Sequence, residues 1–341
     1  MTGVRACKQF VRFLQPTNRQ DQGGGFVNRQ ATVSTIVVTY NSQAVLLADP
    51  GAVPKAEWVE NVFVDNASGD NTVEAILTLY PAASVIRNTE NLGFSAAVNL
   101  GSQRISSDYI LLLNPDASVS LETLRGLVQL MESNSLIAIS APFVQDSGQE
   151  FSTIAAGLSP TVWRMFTHAT GLSRLGSKFP LLRGHYLFAK DLIRPRLYDV
   201  DWVSGGCMLI RASAWIEHNG LTDRWFMYAE DIEFCMRIRA SGLRIVVDSA
   251  SFAGHEVGKS SSNVDGRMNP AWILNLYDLY KWRIAKSKAA SFTWKLIVAS
   301  GFGARVLVYQ MKGISQSSDD TRKSNVDRFR IYRDALWKAP L

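Results

Sequence analysis

Four short and nearly unbroken apolar segments, at 33–39, 61–64, 84–87 and 109–113, constrain the fold more than any other feature of the chain. Each is β-branched or aliphatic and bounded by turn residues, so each reads as a strand. The stretches between them, 70–80, 94–105 and 120–133, read as helices. Asp70 is placed to cap the first, and Ser120 with Glu122 and Thr123 opens the third. Strands that are apolar throughout, rather than alternating, are covered on both faces, as in a parallel sheet with crossover helices. The expected class is therefore α/β, with a mostly parallel central sheet flanked by helices.

Beyond this core the pattern changes. From 150 to 200 no period is sustained and Pro160, Pro180 and Pro195 interrupt the chain, which predicts loops and short helices over a site. Regularity returns with a strand at 206–210, helices at 212–218 and 230–241, and a strand at 244–248. After Pro270 the chain reads as helical to 290, then as mixed and basic. At 341 residues and 47% hydrophobic content, it can bury the core of one large domain or two modest ones. Cys7, Cys207 and Cys235 are too few and too scattered for a disulfide framework or a thiolate zinc site, which favours a reducing compartment.

Charge is unevenly placed. Residues 281–341 hold 13 Lys+Arg against 4 Asp+Glu, while the rest of the chain is slightly acidic. A basic tail points to an anionic surface. Nucleic acid is the poorer partner, because the body is acidic and no nucleic-acid motif spacing is present. The apolar stretch 292–311 is interrupted by Lys295 and Arg305, so it is expected to lie in a membrane interface rather than span one. Residues 1–31 are polar and basic and lack the apolar centre of a signal peptide. The expectation is a cytoplasmic protein, peripheral on the inner face of the plasma membrane.

Ligands of parallel α/β sheets bind at the carboxyl ends of the strands, and here each strand ends in polar residues. These ends are Thr39-Tyr40-Asn41-Ser42, Asp65-Asn66-Ala67-Ser68-Gly69-Asp70, Arg87-Asn88 running on to Asn91-Leu92-Gly93-Phe94, and Asn114-Pro115-Asp116. Any one alone reads as a turn or a helix cap. Their repetition along one rim reads as a site. A second acidic cluster, Glu230-Asp231-Ile232-Glu233, follows Phe226-Met227-Tyr228. Acids favour a first helical turn through the helix dipole, but an aromatic lead-in would set this turn beside a pocket, where a carboxylate needs a partner or a task. Two motif-like segments are discarded. Residues 253–260 match a relaxed P-loop but do not lead into a helix, and Gly301-Phe302-Gly303 lacks the third glycine of a dinucleotide fingerprint.

Taken together with Val203-Ser204-Gly205-Gly206 and Tyr228-Ala229-Glu230-Asp231, these motifs resemble glycosyltransferase family 2 over residues 33–290, most closely its bacterial rhamnosyltransferase branch. The stretch 276–282 fits that branch's C-terminal helix. The resemblance implies a GT-A nucleotide-diphospho-sugar transferase fold, a nucleotide-sugar donor, a divalent metal, and inversion at the anomeric carbon. It implies that Thr39, Tyr40, Asn41 and Asp65 hold the nucleoside, and that Asn66, Arg87, Asn91, Asn99 and Asn114 line the donor pocket. Asp116 and His255 would be metal ligands, and Lys259 would meet the diphosphate. Asp231 would be the general base, with Glu230 touching the acceptor or the metal shell. Asn114 stands in place of the first Asp of a DXD motif, and Glu233 stands where many relatives carry Asp.

The implied donor is dTDP-L-rhamnose and the implied acceptor a lipid-linked glycan of O-antigen or cell-wall polysaccharide. The alternatives are a UDP-hexose donor on the same fold, or a catalytically silent nucleotide-sugar-binding module. Mg²⁺ or Mn²⁺ suits such a site better than zinc, since no thiolate belongs to the cluster. The corresponding organisation is an N-terminal extension, 1–31, and a catalytic domain, 32–280, whose nucleotide-binding half is 32–118 and acceptor half 119–280. A basic helical region, 281–341, follows. It would either touch the membrane or pack as a solvated bundle on the catalytic domain.

Overall fold

A computed structural model of the chain describes residues 30–144, 153–192, 197–255, 269–312 and 319–341. In the first half, strands and helices alternate: β1 (Val33–Thr39), α1 (Gln43–Ala48), β2 (Val59–Asp65), α2 (Thr72–Leu79), β3 (Ser84–Arg87), α3 (Phe94–Ser102) and β4 (Tyr109–Leu113). β1 lies between β2 and β4, β3 lies outside β2, and all three pairings are parallel. Successive residues of each strand enter opposite cores. Ile36, Val62, Val64, Ile110 and Leu112 pack with Ala97 and Val98 of α3, while Val37, Phe63, Leu111 and Leu113 pack with Leu46 of α1 and Ile76 of α2. Two-sided burial is why these strands are apolar at every position. α1 is short because Asp49 precedes Pro50, and a residue before proline is steered out of the helical region.

The second half contains β5 (Ala117–Val119), α4 (Leu121–Ser133), β6 (Ile137–Val144), β7 (Thr153–Gly157), α5 (Val162–Thr170), β8 (Tyr186–Phe188), β9 (Leu197–Asp199), β10 (Trp202–Val203), β11 (Cys207–Arg211), α6 (Ala212–Glu217), α7 (Glu230–Ala240) and β12 (Arg244–His255). β11 enters antiparallel between β4 and β6, and β12 lies parallel to β6 and antiparallel to β5 and β9. Six of the nine strands in this sheet therefore run in one direction. This is the GT-A arrangement.

Two expectations from the sequence need correction. Residues 150–200 are not only loops and short helices, because β7 pairs with β8 and β10 in a separate antiparallel sheet. The Ala-Ala-Gly end of β7 hides it, and close packing demands that glycine. A Cβ on Gly157 would lie 1.9 Å from the His185 carbonyl oxygen and 2.7 Å from the Trp202 ring. The strand read at 244–248 also continues to His255, past a register shift between Asp248 and Phe252. Small polar residues at 249–251 look like a turn, and here they form the irregularity, with the Asp248 carboxylate accepting from Ala250 N–H at 3.0 Å.

Helices α8 (Ala271–Leu279), α9 (Lys288–Lys312) and α10 (Asp319–Lys338) complete the chain, and residues 31–341 form one compact unit. Trp294 of α9 is fully buried. It stacks on both Tyr277 and Tyr280 at 5.4 Å and donates to the Pro160 carbonyl at 2.8 Å. The basic region is thus seated in the core through its first turns. Among the described residues no helix is long and apolar enough to cross a membrane.

Candidate functional site

The carboxyl ends of β1, β2 and β3 form a hydrogen-bonded rim. Thr39 Oγ1 donates to Asp65 Oδ1 at 3.1 Å, and both the N–H and the hydroxyl of Ser68 donate to the same carboxylate. A carboxylate has about four acceptor positions, so Asp65 keeps capacity for a ligand donor. Asn41, at φ +50°, accepts from Gly69 N–H at 2.7 Å and donates its own N–H to Ser68 Oγ at 2.9 Å. Tyr40 beside it is 41% exposed, an aromatic face open at the rim. Asn66 donates to the Gly93 carbonyl at 3.1 Å and accepts from Asn88 at 2.7 Å, which joins the second and third strand ends to the start of α3. Arg87 is exposed at the end of β3, in register with Asp65. Asn91 accepts from Gly93 N–H at 3.0 Å, so its side chain shapes the turn into α3.

Gly93 is obligatory. Its φ is +82°, and a Cβ would lie 2.2 Å from the Phe226 carbonyl oxygen. Phe94 N–H donates to that same oxygen at 2.9 Å, which pins the approach to α7 against α3. Asn99 lies elsewhere. Its amide donates to and accepts from the backbone of Leu221, at 2.8 and 3.0 Å, a clasp between α3 and the turn after α6 rather than a wall of the cavity described below.

Asn114-Pro115-Asp116-Ala117 closes as a turn, with Ala117 N–H donating to the Asn114 carbonyl at 3.1 Å. The turn leads into β5, and β5 pairs with the end of β12 so that His255 lies opposite Ala117. Asp116 and His255 are thereby brought to adjoining backbone positions from 139 residues apart. Among the described residues no three His, Cys, Asp or Glu side chains converge on one point. A turn carrying one carboxylate would suit a hard divalent ion that keeps waters and takes other ligands from a substrate diphosphate, rather than a fully protein-bound metal. Lys259 lies outside the described residues.

The acidic cluster opens α7 beside a cavity of about 320 Å³. Asn114, Gly205 and Gly206 form one wall, Glu230 and Asp231 another, and Phe94, Tyr186, Trp202 and Trp272 give it an aromatic lining. Tyr228 and Ala229 have φ of +76° and +78°, two successive non-glycine residues in the left-handed region. Each costs on the order of 1 kcal/mol, and the turn they make aims both carboxylates inward. Asp231 accepts from Ile232 N–H at 2.8 Å and from Gly205 N–H at 3.2 Å. Gly205 lets the Phe94 ring pack close, since a Cβ there would lie 3.0 Å from it.

Burial raises the pKa of Asp231, while the backbone N–H groups oppose the rise. Glu230 is 3% exposed, and its Oε2 is buried without a partner. Burial first, then the neighbouring Asp231 charge, push its pKa up to about 8. At neutral pH Glu230 is therefore mostly protonated, a donor beside Asp231.

The sign of the resulting pH effect is fixed. The unfolded chain releases the Glu230 proton near the ordinary 4.5, and the folded protein holds it to about 8. The folded state thus binds more protons between these limits, and stability falls as pH rises through them. Urea midpoints between pH 5 and 8 should show this slope in the wild type and a flatter one in Glu230→Gln; equal slopes would contradict it.

Sequence reading did not single out Tyr186, Trp202 or Trp272 as site residues. They come from the small sheet and from α8, and scattered aromatics in an irregular segment carry no local signal. His168, Arg183 and His185 belong to the same irregular segment. His185 Nδ1 bonds the Leu158 carbonyl at 2.6 Å, the Arg183 carbonyl accepts from Arg164 at 2.6 Å, and the His168 carbonyl accepts from Arg305 at 3.0 Å.

A polar rim at parallel strand ends, joined to a carboxylate-bearing cavity, is the layout expected of nucleotide-sugar transfer. The family model for glycosyl transferase family 2 matches residues 34–214, more than half of the chain. The chain belongs to this family. As a glycosyltransferase it has named relatives. An N-acetylglucosaminyl-diphospho-decaprenol L-rhamnosyltransferase of Mycobacterium tuberculosis is 26% identical over 210 residues, 58% of this chain and 67% of that protein. The rhamnosyltransferase WbbL of Escherichia coli is 28% identical over 148 residues, 43% of this chain and 52% of that one. Among solved structures, the mannosyltransferase PcManGT of Pyrobaculum calidifontis, in complex with GDP-Man and Mn²⁺, superposes with a TM-score of 0.55 at 15% identity. The match covers 91% of this chain and 86% of that one. This likeness establishes the GT-A fold of the present glycosyltransferase.

Proposed function

We propose that this glycosyltransferase is an inverting, metal-dependent rhamnosyltransferase. It would move L-rhamnose from dTDP-L-rhamnose to a lipid-linked glycan in bacterial cell-surface polysaccharide assembly, in O-antigen or cell wall. One observation carries the reading: Asp231, a buried carboxylate held by the Gly205 and Ile232 N–H groups, faces a cavity bounded by the strand-end residues Asn114, Gly205 and Gly206. The names of the two rhamnosyltransferase relatives support the sugar.

In this reading Thr39, Tyr40, Asn41 and Asp65 hold the nucleoside. Asn66, Arg87 and Asn91 border it, and Asn114 lies toward the sugar. Asp116 and His255 would hold Mg²⁺ or Mn²⁺, whose charge offsets that of the departing diphosphate, and Lys259 would add a second positive charge there. The acceptor hydroxyl attacks the anomeric carbon, Asp231 takes its proton, and the bond to the diphosphate oxygen breaks with its electron pair. One displacement inverts configuration. Glu230, protonated, donates to the acceptor and keeps the second negative charge out of the cavity. The basic α9–α10 region suits a peripheral position on the inner membrane face, near a lipid-linked substrate.

The test is nucleoside diphosphate release by the full chain with Mg²⁺ or Mn²⁺ from dTDP-rhamnose and a panel of UDP- and GDP-sugars. Selective, metal-dependent dTDP release is expected. Release from a UDP-hexose would overturn the rhamnose assignment, and donor binding without turnover, even with lipid-linked acceptors present, would mark a silent nucleotide-sugar-binding module.

A further inference from the structure

A second cavity, of about 590 Å³, adjoins the catalytic one and shares Tyr186 and Trp272 with it. It lies among α5, α9 and α10. Arg174, Arg305 and Arg328 reach it, and no Asp or Glu is among the described residues around it. The guanidiniums of Arg305 and Arg328 lie 5.4 and 5.0 Å from one ring centroid, that of Phe329, so they converge. Burial lowers the pKa of Arg305, and Arg174 and Arg328 add repulsion. The hydrogen bond that Arg305 makes goes to a neutral carbonyl, that of His168. Arg328 Nη2 donates to Asn325 at 2.6 Å, but its Nε is buried with no partner. Holding the half-buried guanidiniums of Arg305 and Arg328 side by side costs free energy, and an anion placed between them supplies an opposite charge and acceptors.

The rest of the cavity narrows the anion. Phe302, Tyr309, Phe329 and Tyr332 add aromatic wall to the shared Tyr186 and Trp272. Val308, on the cavity, is 43% exposed, and its neighbours Leu307 and Met311 are 60% and 63% exposed. Across the cavity from α9, Leu172 and Leu175 flank the lining residues Ser173 and Arg174 and are also exposed. An inner anion site with aromatic walls and an apolar lip fits an amphiphile with a phosphate head. Tyr186 links this space to the chemistry, since its pKa is raised by burial, then by Asp231 on one side and Tyr332 on the other.

We propose that the Arg305–Arg328 cavity binds the diphosphate and first isoprene units of a prenyl-diphosphate-linked acceptor, presenting its sugar past Tyr186 and Trp272 to Asp231. This rests on the lipid-linked acceptor reading above but not on the identity of the donor. The lipid leaves over the exposed apolar lip of α9, so the side facing the membrane is set by that lip as well as by the basic tail.

The experiment titrates the full-length protein with farnesyl diphosphate, inorganic pyrophosphate and farnesol at fixed ionic strength, following tryptophan fluorescence and heat. Farnesyl diphosphate is expected to bind at least about tenfold more tightly than either fragment. Loss of charge-assisted hydrogen bonds in Arg305→Gln should weaken it by about tenfold or more. Arg328→Gln, on a partly exposed helix position, should do the same if the buried Arg305 variant fails to fold. Unchanged affinity in a folded Arg328→Gln protein would overturn the proposal, as would pyrophosphate binding as tightly as farnesyl diphosphate. Nucleoside diphosphate release in the same preparation separates the two claims. Failure to bind with release intact sinks this site alone, and binding without release sinks the enzymatic reading alone.

Discussion

Asp231→Asn is expected to lower sugar transfer by roughly 10²- to 10⁴-fold, the usual worth of a positioned general base, with donor affinity unchanged. An acceptor hydroxyl is a poor nucleophile until its proton is taken, and Asp231 is the carboxylate that two backbone N–H groups hold at the cavity, beside a Glu230 that keeps its proton to about 8. The substitution is nearly isosteric but not silent for folding. Both carboxylate oxygens accept backbone N–H groups, from Ile232 and Gly205. An amide can satisfy only one of them, so a stability loss of about 1 kcal/mol accompanies it. Nucleoside diphosphate release, donor affinity and an unfolding midpoint, measured together, check the prediction. A folded Asp231→Asn enzyme with full turnover would remove the base from this position.

Glu233→Ala should cost about 3 kcal/mol of stability, the lower end for breaking a buried ion pair. Glu233 is fully buried and holds two arginines. Arg237 Nε donates to it at 2.9 and 3.1 Å, and Arg283 bonds it from the turn after α8. Arg237 and Arg283 keep 24% and 35% exposure, so water recovers part of the loss. Arg237 also donates to the Gly220 carbonyl at 2.7 Å, in the turn that Asn99 clasps. Glu233 is therefore the anchor of the helix that carries Asp231. Denaturant unfolding would measure it, and a loss below about 1 kcal/mol would show that Glu233 is not the anchor.

The central sheet was readable because its strands obey a local rule, apolar at every position and ending in polar residues. β1, β3 and β4 match their expected bounds, and β2 differs by at most two residues at each end. The strand-end residues lie where that rule puts them, from Thr39 and Asp65 to Asn114. What escaped depends on contacts distant in sequence. Gly157 looks like a break until Trp202 and His185 are seen against it. The irregularity at 249–251 looks like a strand end until β5 is found paired beyond it. Asn99 has the composition of a pocket residue, and only the position of Leu221 shows that its amide is already engaged. The Arg305–Arg328 pair was invisible because it forms between two helices that read as one basic tail.

The anomeric configuration of the transferred sugar tests the central claim most directly. The product formed by the full-length enzyme from a nucleotide sugar and a prenyl-diphosphate-linked acceptor would be assigned by NMR coupling constants. A single displacement assisted by Asp231 predicts a linkage of configuration opposite to that in the donor. Retained configuration would contradict it, because retention requires a second displacement or a front-face departure that a lone base in this cavity does not provide.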